Sequence, residues 1–292
     1  MTPDRPVSDN ARVDALRKAA DDGDADAMHR LGMALVSRNA SDEAFALQLR
    51  AAETGHVDAQ IYLARMLLYG IVAAPEPGEA VQWLLRAERA GSAIAGYHLA
   101  SIALGGLALP RDARINERLH AAMRAEYAPA LRAVAIHFGR KADDNDQTLC
   151  VQLLERAAHA GDAIAAALLT ERLANGEGVD AAPTAAAELR AQLDARGIAP
   201  LPVLRMPLPQ QGTLLRRELA IEEALHAPPS QQLTDSPRVS VVDGLLSADE
   251  CRLLIAATRP ELRESRTVDP DTGQPISMQI RTSSDTSLDP LR

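Results

Sequence analysis

A small-residue anchor that returns in phase constrains this chain more than anything else in it. Aligning residues 20–27, 52–59, 88–95, 123–130 and 158–165 places the anchor at Gly23, Gly55, Gly91, Glu126 and Gly161, with spacings of 32, 36, 35 and 35 residues. Four residues after each anchor stands an alanine: Ala27, Ala59, Ala95, Ala130 or Ala165. Four further on comes Leu31, Leu63, Leu99, Val134 or Leu169. Intervals of four put these residues on one face of a helix. Glycine in a left-handed C-cap closes the preceding helix, and a small alanine near the next helix start lets two helices touch. A second helix per unit is visible as an amphipathic stretch over 41–54, 78–90, 112–125 and 145–160, with a last one at 183–196. In the fourth unit Glu126 occupies the glycine place, which predicts a less sharp helix ending there.

A period of this length is the signature of stacked hairpins, because one hairpin cannot bury its own apolar face. The predicted fold is therefore mostly α: an α–α superhelix, a solenoid of about five helical hairpins over residues 13–197. Composition agrees. Hydrophobic residues make up 47% of the chain but aromatics only 2%, so the core is filled by Ala, Leu, Val and Ile. Residues 1–12 precede the repeats and are expected to be disordered.

Charge narrows the function classes. The net charge of -9, with Lys18 and Lys141 as the only lysines, argues against a nucleic-acid partner, which needs clustered cations. The acidity is spread along the chain and reads as solvated surface. Residues 1–10 carry charges, Pro3 and Pro6 but no apolar stretch, so neither a signal peptide nor a membrane anchor is expected there. Cys150 and Cys251 form no motif, sit beside leucines in helical patterns, and read as small buried hydrophobes in a reducing compartment. The expected location is cytoplasmic. The seven histidines share no ligand spacing, so no metal site and no catalytic residue are assigned.

The Ala-Ala-x-x-Gly-x-x-x-Ala core, the loop Asn175-Gly176-Glu177-Gly178-Val179-Asp180 and the stretch Leu68-Tyr69-Gly70-Ile71-Val72 resemble the Sel-one-like repeats, relatives of the tetratricopeptide family. Gly176-x-Gly178 follows a helix rather than a strand, so it reads as a turn and not a phosphate cradle. Stacked hairpins present an extended concave surface lined by their first helices. The candidate partner-binding residues on it are Arg30, Tyr62 and Tyr97, with filling of the repeat interfaces as the alternative role of the tyrosines.

Beyond the repeats, residues 198–237 hold seven of the chain's eighteen prolines and read as a linker with one helix over 213–226. After Pro237 the pattern changes. Val239, Val241 and Val242 mark a strand within 238–244, and Ser247-Ala248-Asp249-Glu250 is a capping box opening a helix with Cys251, Leu253, Leu254 and Ile255. Strands follow at 264–268 and 276–282 around a turn at 269–273. The stretches 242–251, 265–273 and Arg281-Thr282-Ser283-Ser284-Asp285-Thr286 resemble the start of a prolyl 4-hydroxylase type 2-oxoglutarate and iron(II) oxygenase domain. The resemblance implies a substrate-side loop at Arg281, Thr282, Ser283 and Ser284. It also implies Fe(II) and 2-oxoglutarate as cofactors of a complete parent. No histidine follows His226, so the iron ligands of that family cannot come from residues 238–292. The chain itself is expected to be inactive and to hold no cofactor, being the front of a longer protein or a truncated gene. Residues 238–292 are then an incomplete α/β segment whose strands lack a partner sheet, the least stable region expected. The functional expectation is a protein-interaction scaffold fused to the beginning of an oxygenase, with a protein partner or protein substrate and no nucleic acid or membrane. The alternative is a non-catalytic adaptor or a self-assembling repeat protein.

Overall fold

The computed structural model describes residues 9–106, 108–112, 114–196, 217–258, 262–264, 267–268, 275–276 and 284–285. The chain divides into two compact units, Met1–Ala122 and Met123–Arg292.

The first unit is a run of helices: α1 Asp9–Asp21, α2 Ala25–Val36, α3 Ser41–Glu53, α4 Val57–Tyr69, α5 Pro77–Arg89, α6 Ala93–Gly105 and α7 Arg114–Arg124, whose last two residues cross the boundary. From α1 to α6 each helix packs on the next. The second unit continues with α8 Ala128–Gly139, α9 Asp144–His159, α10 Ala163–Asn175 and α11 Pro183–Arg196, again each on its neighbour. Each unit is thus built of α–α hairpins in the solenoid manner that the repeat predicted, α2–α3 and α4–α5 in the first and α8–α9 and α10–α11 in the second. The first helix already begins at Asp9, inside the stretch expected to be disordered, and α1 packs against α2 in the way a second helix of a hairpin would.

The anchor works as a backbone device. Gly23, Gly55, Gly91 and Gly161 take φ between 91° and 96°, and a Cβ at Gly23, Gly55 or Gly91 would meet nothing within 4 Å. Glycine is therefore selected there by conformation and not by crowding. Glu126 adopts the same left-handed region, φ 53°, so the fourth unit does not end less sharply than the others. Its carboxylate pairs with Arg156 of α9. Directly after the anchor comes a second phased position, the N-cap of the next helix. Asp24 accepts from the Asp26 and Ala27 amides, His56 from Ala59, Ser92 from Ala95 and Asp162 from Ala165. Tyr127 fills the place in the fourth unit without a side-chain cap. The phased alanines and aliphatics are all buried, and Ala59, Ala95, Ala130 and Ala165 face the neighbouring helix with no exposed surface.

The remainder of the second unit differs from the sequence reading in three places. The helix expected over 213–226 is, in the residues described from 217 on, a stretch without regular structure followed by a single 3-10 turn, Ile221–Leu225, against α8. A strand, β1 Gln231–Asp235, lies inside the stretch read as linker and pairs antiparallel with β2 Arg238–Val241. Pro237 is compatible with this because it stands in the connection between the strands, where no ladder N–H is needed. Cys251 is exposed rather than buried, whereas Cys150 is buried as expected. The capping box opens α12, Ala248–Thr258. Four two-residue strands follow: β3 Arg263–Glu264 pairs with β6 Ser284–Asp285, and β4 Thr267–Val268 with β5 Pro275–Ile276. The expected turn at 269–273 lies outside the described residues. No described helix is long and apolar enough to cross a membrane.

Candidate interaction site

In the first unit, Arg30 and Tyr62 belong to one polar–aromatic patch. Gln48 of α3 is buried and ties α3 to α2: its Nε2 donates to the His29 carbonyl at 3.0 Å and its Oε1 lies 2.8 Å from His29 Nδ1. A Cβ on Gly32 would stand 2.6 Å from the Gln48 amide, so glycine there makes room for this tie. The His29 ring, fixed in this way, meets the edge of Tyr62 at 5.9 Å and the ring of His56 at 5.2 Å. His56 is held in turn as the N-cap of α4, with its Nε2 3.9 Å from Asp26. Asp26 also accepts from Arg30 at 3.3 Å. Arg30 is exposed and Tyr62 half-buried, which leaves both able to touch a partner.

Tyr97 is half-buried on α6 and meets the His98 ring at 5.5 Å. It stands two residues before Leu99, the helical phase of His29, whereas Arg30 and Tyr62 stand one residue before their leucines. The three candidates are thus not one column. Burial pushes the His98 imidazole down to about 4, with the Arg65 charge acting in the same direction, so this ring is neutral near pH 7.

The second unit contains a site that sequence reasoning missed. The first turn of α12 is inserted against α8 and α10. Asp249 is 1% exposed and faces Arg172 of α10, which is 2% exposed. Arg172 Nε donates to Asp249 Oδ2 at 2.9 Å, and its Nη2 pairs with the same oxygen. Nη1 donates to Gln147 Oε1 at 2.9 Å and to the Glu177 carbonyl at 3.3 Å. Beside this pair, Arg140 at the C-cap of α8 donates to Glu250 Oε2 at 2.5 Å. Glu250 closes the predicted capping box: the Ser247 amide donates to it at 2.7 Å, and its own amide donates to Ser247 Oγ at 3.3 Å. Arg252 grips Glu177 with both nitrogens, at 2.6 and 2.7 Å, and donates to Asp249 Oδ1 at 3.0 Å.

Electrostatics follow from this geometry. Burial pushes the Glu250 carboxyl up, but Arg140 and the Ser247 hydrogen bonds outweigh it and hold the group below the usual range. The hydrogen bond from Arg252 likewise holds Glu177 low. Cys150 lies under Asp249, its Sγ 3.8 Å from Oδ2, and burial pushes its thiol up to about 12. Such a thiol is inert as a nucleophile. A Cβ on Gly139 would stand 2.6 Å from both the Arg172 guanidinium and the Asp249 carboxylate, so this glycine vacates the space that the pair fills.

The sequence did carry a signal for Arg172. It follows Leu168 by four on the apolar side of α10, and a charge at a core position requires a partner. Nothing local pointed to Asp249, 77 residues away. Of the loop implied by the oxygenase resemblance, Arg281, Thr282 and Ser283 lie outside the described residues, and Ser284 pairs with Glu264 in β6. Among the described residues no three His, Cys, Asp or Glu side chains converge as metal ligands.

No family model and no curated protein matches the chain. Solved structures do. One is a protective antigen of uropathogenic Escherichia coli displaying an SLR fold, with TM-score 0.51 and 22% identity, covering 62% of this chain and 40% of that one. Another is a Sel1 repeat protein from Oxalobacter formigenes, with TM-score 0.51 and 21% identity, covering 60% of this chain and 74% of that one. The chain thus spans well under two thirds of the antigen's length. At this identity the likeness speaks to architecture, and the architecture is the Sel1-like helical repeat.

Proposed function

We propose that the chain is a protein-interaction scaffold whose first-helix side is the binding surface. The observation that carries this reading is the docking of α12 on α8 and α10: the first helices of this array already receive a helix, through buried charges. In the first unit the corresponding helices present Arg30, Tyr62 and Tyr97. Rigid aromatic groups and arginine are the side chains that most often anchor protein interfaces. The test is cross-linked capture of partners by the full chain and by the variants Arg30→Glu, Tyr62→Ala and Tyr97→Ala, each checked for unchanged helicity. Partners lost in the variants support the reading. A partner set that is the same for all four proteins overturns the assignment of these residues.

A second reading has one observation in its favour. Strand, capped helix and then the β4–β5 pairing, Thr267 with Ile276 and Val268 with Pro275, follow the order expected of the opening of a prolyl 4-hydroxylase-like oxygenase domain. In that reading the repeats hold the protein substrate, and the Fe(II) and 2-oxoglutarate ligands belong to a longer parent. Its test is iron-dependent conversion of 2-oxoglutarate to succinate by a chain extended with the downstream reading frame. An extended chain without that turnover overturns it.

A further inference from the structure

Arg172 is arranged to receive a carboxylate independently of α12. Gln147 and the Glu177 carbonyl hold its Nη1, and Gln147 is itself tied by its Nε2 to the Gly139 carbonyl at 3.1 Å. That leaves Nε and Nη2 aimed at the place that Asp249 Oδ2 fills. A buried guanidinium without a counter-charge is strongly disfavoured, so this position selects an acid. Arg140 selects a second acid one residue later, at Glu250. Two successive carboxylates fit the first turn of a helix, where the macrodipole favours them as well.

What holds α12 in place is this acidic first turn together with Arg252, which follows it and grips Glu177. Asp249 is its only buried residue, while Leu253 and Leu254 are half-buried, Cys251 is exposed and Ile255 is 60% exposed. The hairpin β1–β2 that precedes it is exposed along both strands. Buried ion pairs give back little more than their desolvation costs, yet a mismatched group leaves a charge stranded. Such a contact discriminates strongly and retains weakly.

We infer that the α8–α10 side of the second unit is a binding site for the acidic first turn of an α-helix, and that α12 is a resident occupant which a partner helix beginning Ser/Thr-x-Asp-Glu displaces. The inference rests on the first-helix side being the interaction surface and names the chemistry of the partner.

The test uses the full chain and a fluorescein-labelled peptide of residues 244–260 with Cys251→Ser. The chain carrying Asp249→Ala and Glu250→Ala should bind this peptide roughly tenfold or more tightly than the unaltered chain, whose own tethered helix competes. Adding Arg140→Ala and Arg172→Ala should abolish binding, and a peptide with Asp249→Asn and Glu250→Gln should not bind. A helical open variant that ignores the acidic peptide, or binds the amide peptide equally well, overturns the inference. Should the open variant fail to fold, the unaltered chain decides. The acidic peptide at about 1 mM, near the effective concentration of a tethered helix, should speed hydrogen exchange in α12 but not in α9, and the amide peptide should not. Unchanged α12 protection overturns the inference. Partner capture through Arg30, Tyr62 and Tyr97 does not involve these arginines, so failure of peptide binding with capture intact removes this inference alone.

Discussion

Arg172 and Asp249 show how one buried pair sets local tolerance. Removing either partner strands a charge at a position with no access to water, which costs about 3–5 kcal/mol. Replacing both with apolar residues of similar volume is close to neutral. Urea unfolding should therefore show Arg172→Met and Asp249→Asn each strongly destabilised, and Arg172→Met with Asp249→Leu near the parent; an additive double variant would contradict the pairing. Two other buried groups make stability depend on pH with opposite signs. His98 is lowered from 6.5 to about 4 in the fold, so the unfolded chain takes up its proton first as pH falls. Its site thus favours folding above pH 6.5, and that advantage is lost progressively between 6.5 and 4, by on the order of 3 kcal/mol. Glu155 is raised by burial from 4.5 to about 7, so its advantage exists below 4.5 and is lost as pH rises to 7. Glu155→Gln should raise stability at pH 8 and leave it unchanged at pH 4, while His98→Leu should flatten the acid limb. Denaturant midpoints across pH separate the two.

At the scale of the element, the hairpin is defined by two adjacent residues, one that leaves a helix and one that opens the next. Glu126 occupies the left-handed position at a cost of about 1–2 kcal/mol for a side chain with a Cβ. Its pairing with Arg156 is solvent-accessible and returns little. Glu126→Gly should consequently stabilise the protein by about 0.5–1 kcal/mol, seen as a higher thermal midpoint. Ser92→Ala, which removes the cap of α6, should lower stability by about 1 kcal/mol. These elements were legible before any coordinates because they depend on contacts within a few residues: glycine at the turn, alanine four later, leucine four after that. The 3-10 turn at Ile221–Leu225 was not. The pattern of Leu219, Ile221 and Leu225 suits a helix, but the turn packs against α8, and one turn suffices to bury Ile221 while Leu225 stays exposed.

For the molecule as a whole, the repeats and the C-terminal segment differ in how they are held. Each repeat helix buries a column of alanine and leucine, whereas α12, the β1–β2 hairpin and the connection between them keep Leu245, Leu246, Val239, Val241 and Ile255 exposed. Segments with few buried apolar contacts open first. Hydrogen exchange should be fastest in β1, β2 and α12 and slowest in the paired repeat helices. Limited proteolysis should cut between 197 and 246 before it cuts the repeats. In the folded chain, iodoacetamide should modify Cys251 and spare Cys150. Equal reactivity of the two thiols would show that α12 does not rest on α8 and α10 as described.

The sequence by itself determined the architecture, because a repeat folds through interactions between residues at fixed short separations, and those separations are written in its period. Gly23, Ala27 and Leu31 already state where one helix stops, where the next one touches it and which face is buried. The capping box Ser247–Glu250 was legible for the same reason. The tertiary structure alone decided that this box is also a plug: Asp249 and Glu250 meet Arg172 and Arg140 across 77 and 110 residues of chain. An acid in the first turn of a helix looks the same in sequence whether its carboxylate meets water or an arginine of a distant helix. Which of the two it meets depends on where the chain returns, and no local pattern encodes that.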